Sequence, residues 1–286
     1  MDVLVLGGGP AGATAAIYAA RSGKAVTLVY QDSGALARAE RIENFYGFPA
    51  PISGPDLFRQ GLEQVRSLGV TVKEAQILSL GFGAHGLEAE TTQGTLAAPA
   101  VVLATGAQRR RPRIPGLDDF DGAGVSYCAV CDGFFCRGKE VAVLGAGTYA
   151  LHEAGVLLPL AKRVTLLTNG DPAPEELPQD LDLDTRPIAA LVGESGILSA
   201  VRFADGGALE VCRLFVALGT AGSGDLARKV GLLTENGKIV VDGIMATNVP
   251  GLFAAGDCTG GLPQVATAVA QGAQAGLSAV RYLQNR

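Results

Sequence analysis

The sequence VLVLGGGPAG at Val3–Gly12 joins an apolar run to a glycine-rich turn, and the small residues of 13–20 follow it. This order predicts a strand, a tight turn and a helix. Gly7 makes the turn, Gly9 lets the backbone approach a pyrophosphate, and Gly12 lets the helix pack closely on the strand. Since the first amides of a helix lack partners and carry the positive end of its dipole, we expect dinucleotide phosphates to bind here.

A second unit of the same kind begins at Glu140, where VAVLGAGTYA carries Gly145, Gly147 and Ala150 in the order GxGxxA. A chain of 286 residues is long enough for two such units with separate cores. The two motifs therefore predict an α/β protein with two Rossmann-like dinucleotide-binding domains.

Composition narrows the class of protein further. The net charge of −5 does not favour nucleic-acid binding, which calls for a basic surface. No apolar run in the sequence is long enough to cross a bilayer, and we expect a cytoplasmic protein without membrane contact. In a cytoplasmic chain of this size, five cysteines do not suggest a disulfide scaffold, and a close pair is more often catalytic or metal-binding.

The segment SYCAVCDGFFCRGK contains such a pair, Cys128 and Cys131, with two residues between them. A zinc site normally needs four Cys or His ligands, and no second CxxC or suitably placed His occurs, so no metal is expected. A reduced structural pair is another interpretation. A redox disulfide fits best, because this spacing lets the sulfurs meet and a helix N-terminus lowers thiol pKa. Three other cysteines are interpreted as small packing residues: Cys136, Cys212 and Cys258.

Several motifs together carry a family resemblance. The segments LATGA at Leu103–Ala107 and TNVPGLFAAGDC at Thr247–Cys258 resemble the middle and closing motifs of FAD-dependent pyridine-nucleotide–disulfide oxidoreductases. CAVCDG is similar to the CATCDG box of the low-molecular-weight thioredoxin reductases, and ENFYGFPAPISGPDL to their ENxPG…GPxL stretch. The likeness covers nearly the whole chain and implies the fold of that family, with the second domain inserted in the first.

The resemblance implies a discontinuous FAD-binding domain at residues 1–112 and 244–286, around a redox-disulfide domain at 113–243. It implies bound FAD, thioredoxin as substrate and a homodimer. A disulfide touching the flavin is covered, so domain rotation is expected to expose it to a protein substrate. The expected FAD-binding residues are Gly7, Gly9, Pro10, Ala11, Gly12, Asn44, Thr105, Gly106, Gly256, Asp257, Gln264 and Val265.

Catalytic roles also follow from the resemblance. Cys131 is expected to lie against the flavin, and Cys128 to attack the disulfide of the partner protein. Asp132 is expected to act as the acid/base, as its family counterpart does, although an aspartate beside a short helix could also be an N-cap.

The second nucleotide site departs from the pattern of NADPH-dependent members at three places. The strand Arg163–Leu167 runs into TNGDPAPEE, which lacks the arginines that clamp a 2′-phosphate and instead carries Asp171, Glu175 and Glu176. A Pro-rich acidic stretch at residues 172–184 replaces the helix that follows in the family. VALGTAGSGD lacks the family's Pro-Asn pair.

These departures resemble the ferredoxin-dependent flavin thioredoxin reductases, in which ferredoxin supplies electrons to FAD one at a time. NADPH or NADH remains an alternative donor, with Asp171 as a ribose ligand for NADH. A dithiol oxidase with reversed electron flow and a non-catalytic flavin-bound redox sensor are further alternatives. A basic cluster at Arg109, Arg110, Arg111 and Arg113 is either a surface that steers an acidic partner or a solvated linker.

Overall fold

A computed structural model describes residues 1–84, 86–106, 112–219 and 221–286. Ala107, the last residue of the LATGA motif, and Arg109, Arg110 and Arg111 of the basic cluster lie outside the described residues. Arg113, the fourth member of that cluster, is described and exposed.

Strands and helices alternate along much of the chain, as the two nucleotide-binding motifs predict. The strands are β1 (Val3–Leu6), β2 (Val26–Tyr30), β3 (Thr71–Glu74), β4 (Ile77–Gly83), β5 (Gly86–Thr91), β6 (Gly94–Ala98), β7 (Ala100–Leu103), β8 (Val125–Ser126), β9 (Glu140–Leu144), β10 (Arg163–Leu167), β11 (Leu181–Asp184), β12 (Ile188–Glu194), β13 (Ile197–Phe203), β14 (Ala208–Glu210), β15 (Arg213–Val216), β16 (Thr234–Glu235), β17 (Lys238–Ile239) and β18 (Leu252–Ala254). The α-helices are α1 (Pro10–Arg21), α2 (Gly54–Ser67), α3 (Ala129–Asp132), α4 (Thr148–Leu157), α5 (Ser223–Lys229) and α6 (Val265–Gln284).

The first compact unit comprises Met1–Arg109 and Gly222–Arg286. Its main sheet has the order β18-β7-β1-β2-β3, with every pair parallel. All residues of β1, β2 and β7 are buried, which explains their continuous apolar sequences, since helices and loops cover both faces of such a sheet. Strands β4, β5 and β6 form a separate antiparallel sheet.

Helices α1 and α6 cross at close range in this unit. A methyl group added at Gly272 would overlap the backbone of Ala11, and one added at Gly276 would overlap that of Ala15. The small residues of both helices therefore allow their backbones to approach, which larger side chains would prevent. This crossing fixes α1, and with it the glycine loop, against the C-terminal segment.

The second compact unit is Arg110–Ala221. Its parallel sheet has the order β11-β10-β9-β15-β8, and β12, β13 and β14 form an antiparallel sheet. Helix α3 follows β8, and α4 follows β9. The two parallel sheets confirm the α/β class and the two Rossmann-like folds expected from the sequence.

The return crossing between the units lies earlier than the sequence analysis placed it. Residues 222–243, assigned there to the inserted domain, group with the first unit. One contact that joins them is the bond from Lys229 Nζ of α5 to the carbonyl of Leu78 in β4, at 3.1 Å. Within the described part of the chain, none of the helices has the length and apolar composition that a bilayer crossing requires.

Candidate functional site

Three motifs that are far apart in the sequence meet at one edge of the first sheet. Strands β1, β7 and β18 are neighbours, and their last residues are in register: Leu6 lies beside Leu103, and Leu103 beside Ala254. Since the strands are parallel, the loops that follow them leave the sheet on the same side. The glycine loop, Thr105-Gly106 and Gly256-Asp257 therefore gather where ligands of doubly wound sheets bind.

The N-terminus of α1 is suited to a pyrophosphate. Gly9 is its N-cap in extended conformation, Pro10 is the first helical residue, and neither a side-chain cap nor an acidic residue occupies the first turn. A methyl group at Gly12 would overlap the carbonyl oxygen of Gly7, whereas one at Gly9 would meet open space. Gly12 thus allows close packing of α1 on the loop, and the space at Gly9 is compatible with a bound ligand. Ala11 is buried behind this loop.

Other predicted FAD-binding residues lie around this edge. The Thr105 hydroxyl is buried and has no hydrogen-bond partner among the described residues, so it is available to a bound group. The Gly256 amide donates to Gln271 Oε1 at 2.8 Å, and Lys238 Nζ donates to the Asp257 carbonyl at 2.6 Å. These bonds hold the loop after β18 in place and fit the family's use of Asp257.

The Asn44 side chain is linked to the start of α6. Its Nδ2 donates to Gln264 Oε1 at 2.9 Å, and Gln264 is the N-cap before Val265. The structure thereby joins two predicted FAD-binding residues that are 220 positions apart. The open glycine loop, the unpartnered Thr105 hydroxyl and this link together fit FAD.

A cavity of about 640 Å³ lies beside the glycine loop. It touches Gly9, Pro10 and Val265, three of the predicted FAD-binding residues, and then follows the faces of α1, α2 and α6 past Leu277. Neither Thr105 nor Asp257 is among the described residues that line it. The cavity therefore overlaps only part of the predicted FAD-binding residues and extends beyond them along α1.

Cys128 and Cys131 form a disulfide, with their Cα atoms 5.3 Å apart. Of the three interpretations of this pair, the structure therefore selects the disulfide. Cys128 is the N-cap of α3, and its Sγ accepts from the Cys131 amide at 3.2 Å. Cys128 is only 2% exposed, whereas Cys131 is exposed.

Asp132 belongs to a polar network beside the disulfide. Its Oδ2 accepts a 2.7 Å hydrogen bond from the Ser126 hydroxyl and lies 3.3 Å from Arg213 Nη1. Ser126 Oγ in turn accepts from the Cys128 amide at 3.2 Å. Asp132 is the last residue of α3 and does not cap the following 3₁₀ turn with its side chain. The contacts therefore favour an acid/base near the cysteines over an N-cap.

A buried carboxylate supports the same turn from the other side. Glu153 of α4 is 1% exposed, and its Oε2 accepts from the Ala129 amide at 2.8 Å. Glu153, Ser126 and Arg213 are not among the site residues predicted from the sequence. Ser126 lies in the quoted cysteine segment, but Glu153 and Arg213 are 24 and 81 positions from their partners, and no motif marks them.

The second nucleotide motif retains its backbone shape. Gly145 has a φ of +152° at the end of β9, and Gly147 caps α4. Beyond β10, the Thr168 hydroxyl donates to the Asp171 carbonyl at 2.7 Å, and Asn169 Oδ1 accepts from the Ile188 amide at 2.6 Å. These local bonds stabilise a compact turn where the family's arginine-rich segment would stand.

No helix follows this turn at residues 172–184, all of which the structure describes. Two nearby arginines are engaged: Arg163 pairs with Asp182, and Arg186 with Asp184 and Asp205. The Arg186 guanidinium also holds the pKa of Asp184 below its usual value. The described residues at the end of β10 therefore form no cationic clamp for a 2′-phosphate.

Comparisons with known proteins agree with this architecture. The family model of the pyridine nucleotide-disulphide oxidoreductases matches residues 1–272. The chain belongs to this family, and it is an FAD-dependent disulfide oxidoreductase.

Similar proteins and solved structures carry more specific names than the family model. A thioredoxin reductase of Aquifex aeolicus (strain VF5) is 34% identical, over 100% of this chain and 94% of its own. The atypical thioredoxin reductase TRi from Desulfovibrio vulgaris Hildenborough is similar in structure, with a TM-score of 0.93 and 38% identity over 100% and 98% of the two chains. A ferredoxin-flavin thioredoxin reductase from Clostridium acetobutylicum matches with a TM-score of 0.76 and 30% identity, over 100% and 98%.

Proposed function

We propose that this protein is a flavin-dependent thioredoxin reductase in which electrons pass from ferredoxin through FAD to the Cys128–Cys131 disulfide, and from there to thioredoxin. The observation that carries the choice of donor is the turn after β10, where the described arginines are engaged by aspartates and a helix is absent. A relative with a TM-score of 0.76 is named for ferredoxin, which supports the proposal.

The bound FAD would supply the ability to accept electrons singly and to pass them on in pairs. The chain's own residues handle the disulfide and its protons. Reduction of the Cys128–Cys131 bond takes two electrons and two protons, and exchange with a partner proceeds through thiolates. Asp132, held by Ser126 and Arg213, is placed to give and take these protons.

The exposure of the two sulfurs bears on their roles. Cys131 is exposed on the first turn of α3, whereas Cys128 is 2% exposed. We propose, as the resemblance implies, that Cys131 exchanges electrons with the flavin and that Cys128 attacks the disulfide of the partner protein. Domain rotation would then expose Cys128 to that partner.

An apolar surface beside the disulfide supports a protein substrate. Phe134 and Phe135 are 67% and 63% exposed, and Val130 between the cysteines is also exposed. Large apolar side chains that cluster on a surface usually mark a binding site for another protein. We place the docking of thioredoxin on these three residues.

The donor is tested by anaerobic titration of the FAD-loaded protein. Reduced ferredoxin is expected to bleach the flavin absorbance, and addition of thioredoxin disulfide should then restore it. NADPH is expected to leave the flavin oxidised, because the described arginines near the turn after β10 are engaged by aspartates and leave no cationic clamp for a 2′-phosphate. NADH has no such phosphate, so its titration tests the nucleotide alternative separately, and with ferredoxin as the donor it should also leave the flavin oxidised. Rapid bleaching by NADPH or NADH at micromolar concentration would contradict the ferredoxin assignment and leave the disulfide assignment intact.

The alternative functions predict different results when the same protein is titrated with other reductants and acceptors. A dithiol oxidase would reduce its flavin with a small dithiol and reoxidise it with oxygen, without turnover of thioredoxin. A redox sensor would bind FAD and show no turnover with any of these partners. The homodimer stays a prediction from the resemblance, which light scattering of the purified protein tests, and the cytoplasmic location stays a prediction from the sequence composition.

A further inference from the structure

Two cysteines outside the redox pair lie next to each other in the second unit. Cys136 ends the 3₁₀ turn that follows α3, and Cys212 immediately precedes β15. The Cys136 carbonyl accepts a hydrogen bond from the Lys139 amide at 3.0 Å. Glu140 follows Lys139 in the chain, and its carbonyl accepts a hydrogen bond from the Cys212 amide at 2.9 Å. These bonds, with the pairing of β15 and β9, bring both cysteines to the start of β9, where they are neighbours.

The surroundings of the two thiols differ. Cys136 is fully buried, and its Sγ donates to the Asp132 carbonyl at 3.8 Å. Cys212 is partly exposed. Burial, together with the neighbouring Cys212, raises the pKa of Cys136 to about 11, and the charges of Arg213 and Lys139 oppose that rise. At neutral pH Cys136 is therefore a protonated thiol, and an oxidant from solution reaches Cys212 first.

We propose that Cys136 and Cys212 are a second redox-active dithiol, which is converted reversibly to an intramolecular disulfide by exchange with a small or protein disulfide. The bond would tie the segment after α3 to the start of β15. Both ends of this bond adjoin Asp132: Cys136 through its hydrogen bond to the Asp132 backbone, and Cys212 through its chain neighbour Arg213. The redox state of the pair is thus connected to the acid/base beside the catalytic disulfide.

The exchange proceeds in two steps. The Cys212 thiolate attacks one sulfur of the external disulfide, so that a mixed disulfide forms and one thiolate leaves. Cys136 then loses its proton and attacks the Cys212 sulfur, which releases the second thiolate. Two cysteine thiols are oxidised, one external disulfide is reduced to two thiols, and the two protons pass to the departing thiolates.

The test uses the FAD-loaded protein and oxidised glutathione. The protein is fully reduced, freed of reductant, incubated anaerobically with oxidised glutathione, quenched with acid and alkylated after denaturation. If only Cys128 and Cys131 pair, three thiols remain free in each chain, namely Cys136, Cys212 and Cys258. We expect one free thiol, on Cys258, and a Cys136–Cys212 linked peptide in the non-reducing peptide map.

Variants identify the order of events. Cys136→Ala should accumulate glutathione on Cys212, because the resolving thiol is missing. Cys212→Ser should leave Cys136 reduced, since burial shields it. Cys258→Ala is the matched control, because this cysteine is also buried but lies in the other unit. In this variant the Cys136–Cys212 linked peptide should form as in the wild type.

Two results on the wild-type protein would overturn the proposal, and neither requires a variant to fold. One is three free thiols after prolonged incubation with oxidised glutathione. The other is a stable glutathione adduct on Cys212 without a link to Cys136. Both results leave the function of the Cys128–Cys131 pair untouched, so this proposal and the proposed function can fail separately.

Discussion

At the scale of single residues, the roles proposed for the two disulfide sulfurs lead to a trapping experiment. Cys131→Ser leaves Cys128, which should form a stable mixed disulfide with a thioredoxin whose resolving cysteine has been replaced and whose other cysteine is activated. Cys128→Ser leaves Cys131, which is proposed to contact the flavin, and should form little adduct. Electrophoresis without reductant measures both.

Each variant should retain FAD, because neither cysteine belongs to the first unit. Adduct formation by Cys128→Ser alone would reverse the assignment and make Cys131 the attacking sulfur. Each variant should also lose steady-state disulfide reduction, since either change breaks the pair.

Asp132 gives a second prediction at this scale. Asp132→Asn keeps the shape of the side chain but cannot carry a proton, so turnover should fall by about 10²- to 10⁴-fold, the usual contribution of a general acid/base. Asp119→Asn removes an exposed carboxylate of the same unit and should leave turnover unchanged. The measurement is thioredoxin reduction as a function of pH. Equal rates in the two variants would remove Asp132 from the mechanism.

At the scale of elements, the crossing of α1 and α6 gives a third prediction. Gly272→Ala adds a methyl group that overlaps the backbone of Ala11, so we expect a loss of about 1–3 kcal/mol of stability and weaker retention of FAD. Gly61→Ala in α2 is the matched control, because its nearest neighbour, the Ala13 Cβ, lies at an ordinary 4.0 Å.

The control change should raise stability by about 0.5–1 kcal/mol, the usual gain from replacing glycine in a helix. Urea unfolding and flavin release measure both variants. If Gly272→Ala were as stable as the wild type and held FAD as firmly, α1 would not depend on close contact with α6.

Many of the strands and turns could be predicted from the sequence, because each is marked by a pattern within a short contiguous segment. Strand β1 is an uninterrupted apolar run, β9 and β10 are buried after their first residues, Glu140 and Arg163, and the glycine turns after β1 and β9 follow a known spacing. The contacts that tune the cysteines could not be predicted. Arg213 reaches Asp132 only because β15 pairs with both β8 and β9, and strand order is not encoded in any segment by itself.

At the scale of the whole molecule, the buried Cys258 makes stability depend on alkaline pH. Its thiol donates to the carbonyls of Leu103 and Ala255 at 3.5 and 3.2 Å, and burial raises its pKa from 9.0 to about 12. The unfolded chain loses this proton more readily than the folded one. The contribution of Cys258 to the free energy of unfolding is therefore fully present below pH 9. It is lost as the pH rises from 9 to 12, by about 1.4 kcal/mol per pH unit over most of that range.

Urea midpoints at pH 8, 9 and 10 measure this decline. Between pH 9 and 10, stability should fall by about 1 kcal/mol less in Cys258→Ala than in the wild type, because one titrating group is removed. Any effect of tyrosines, or of Cys136, is common to both proteins. Parallel curves for wild type and variant would show that Cys258 ionises equally in the folded and unfolded chains.

The two units are threaded differently, and this has a consequence for how the protein is made. The unit with the cysteines is a continuous segment, Arg110–Ala221, whereas the other is completed only by Gly222–Arg286, which contributes β18 and α6. During synthesis on the ribosome, this continuous segment emerges before the flavin cleft can close. Cys128 and Cys131 thus acquire their neighbours Ser126, Glu153 and Arg213 in a nascent chain that has no complete site for FAD.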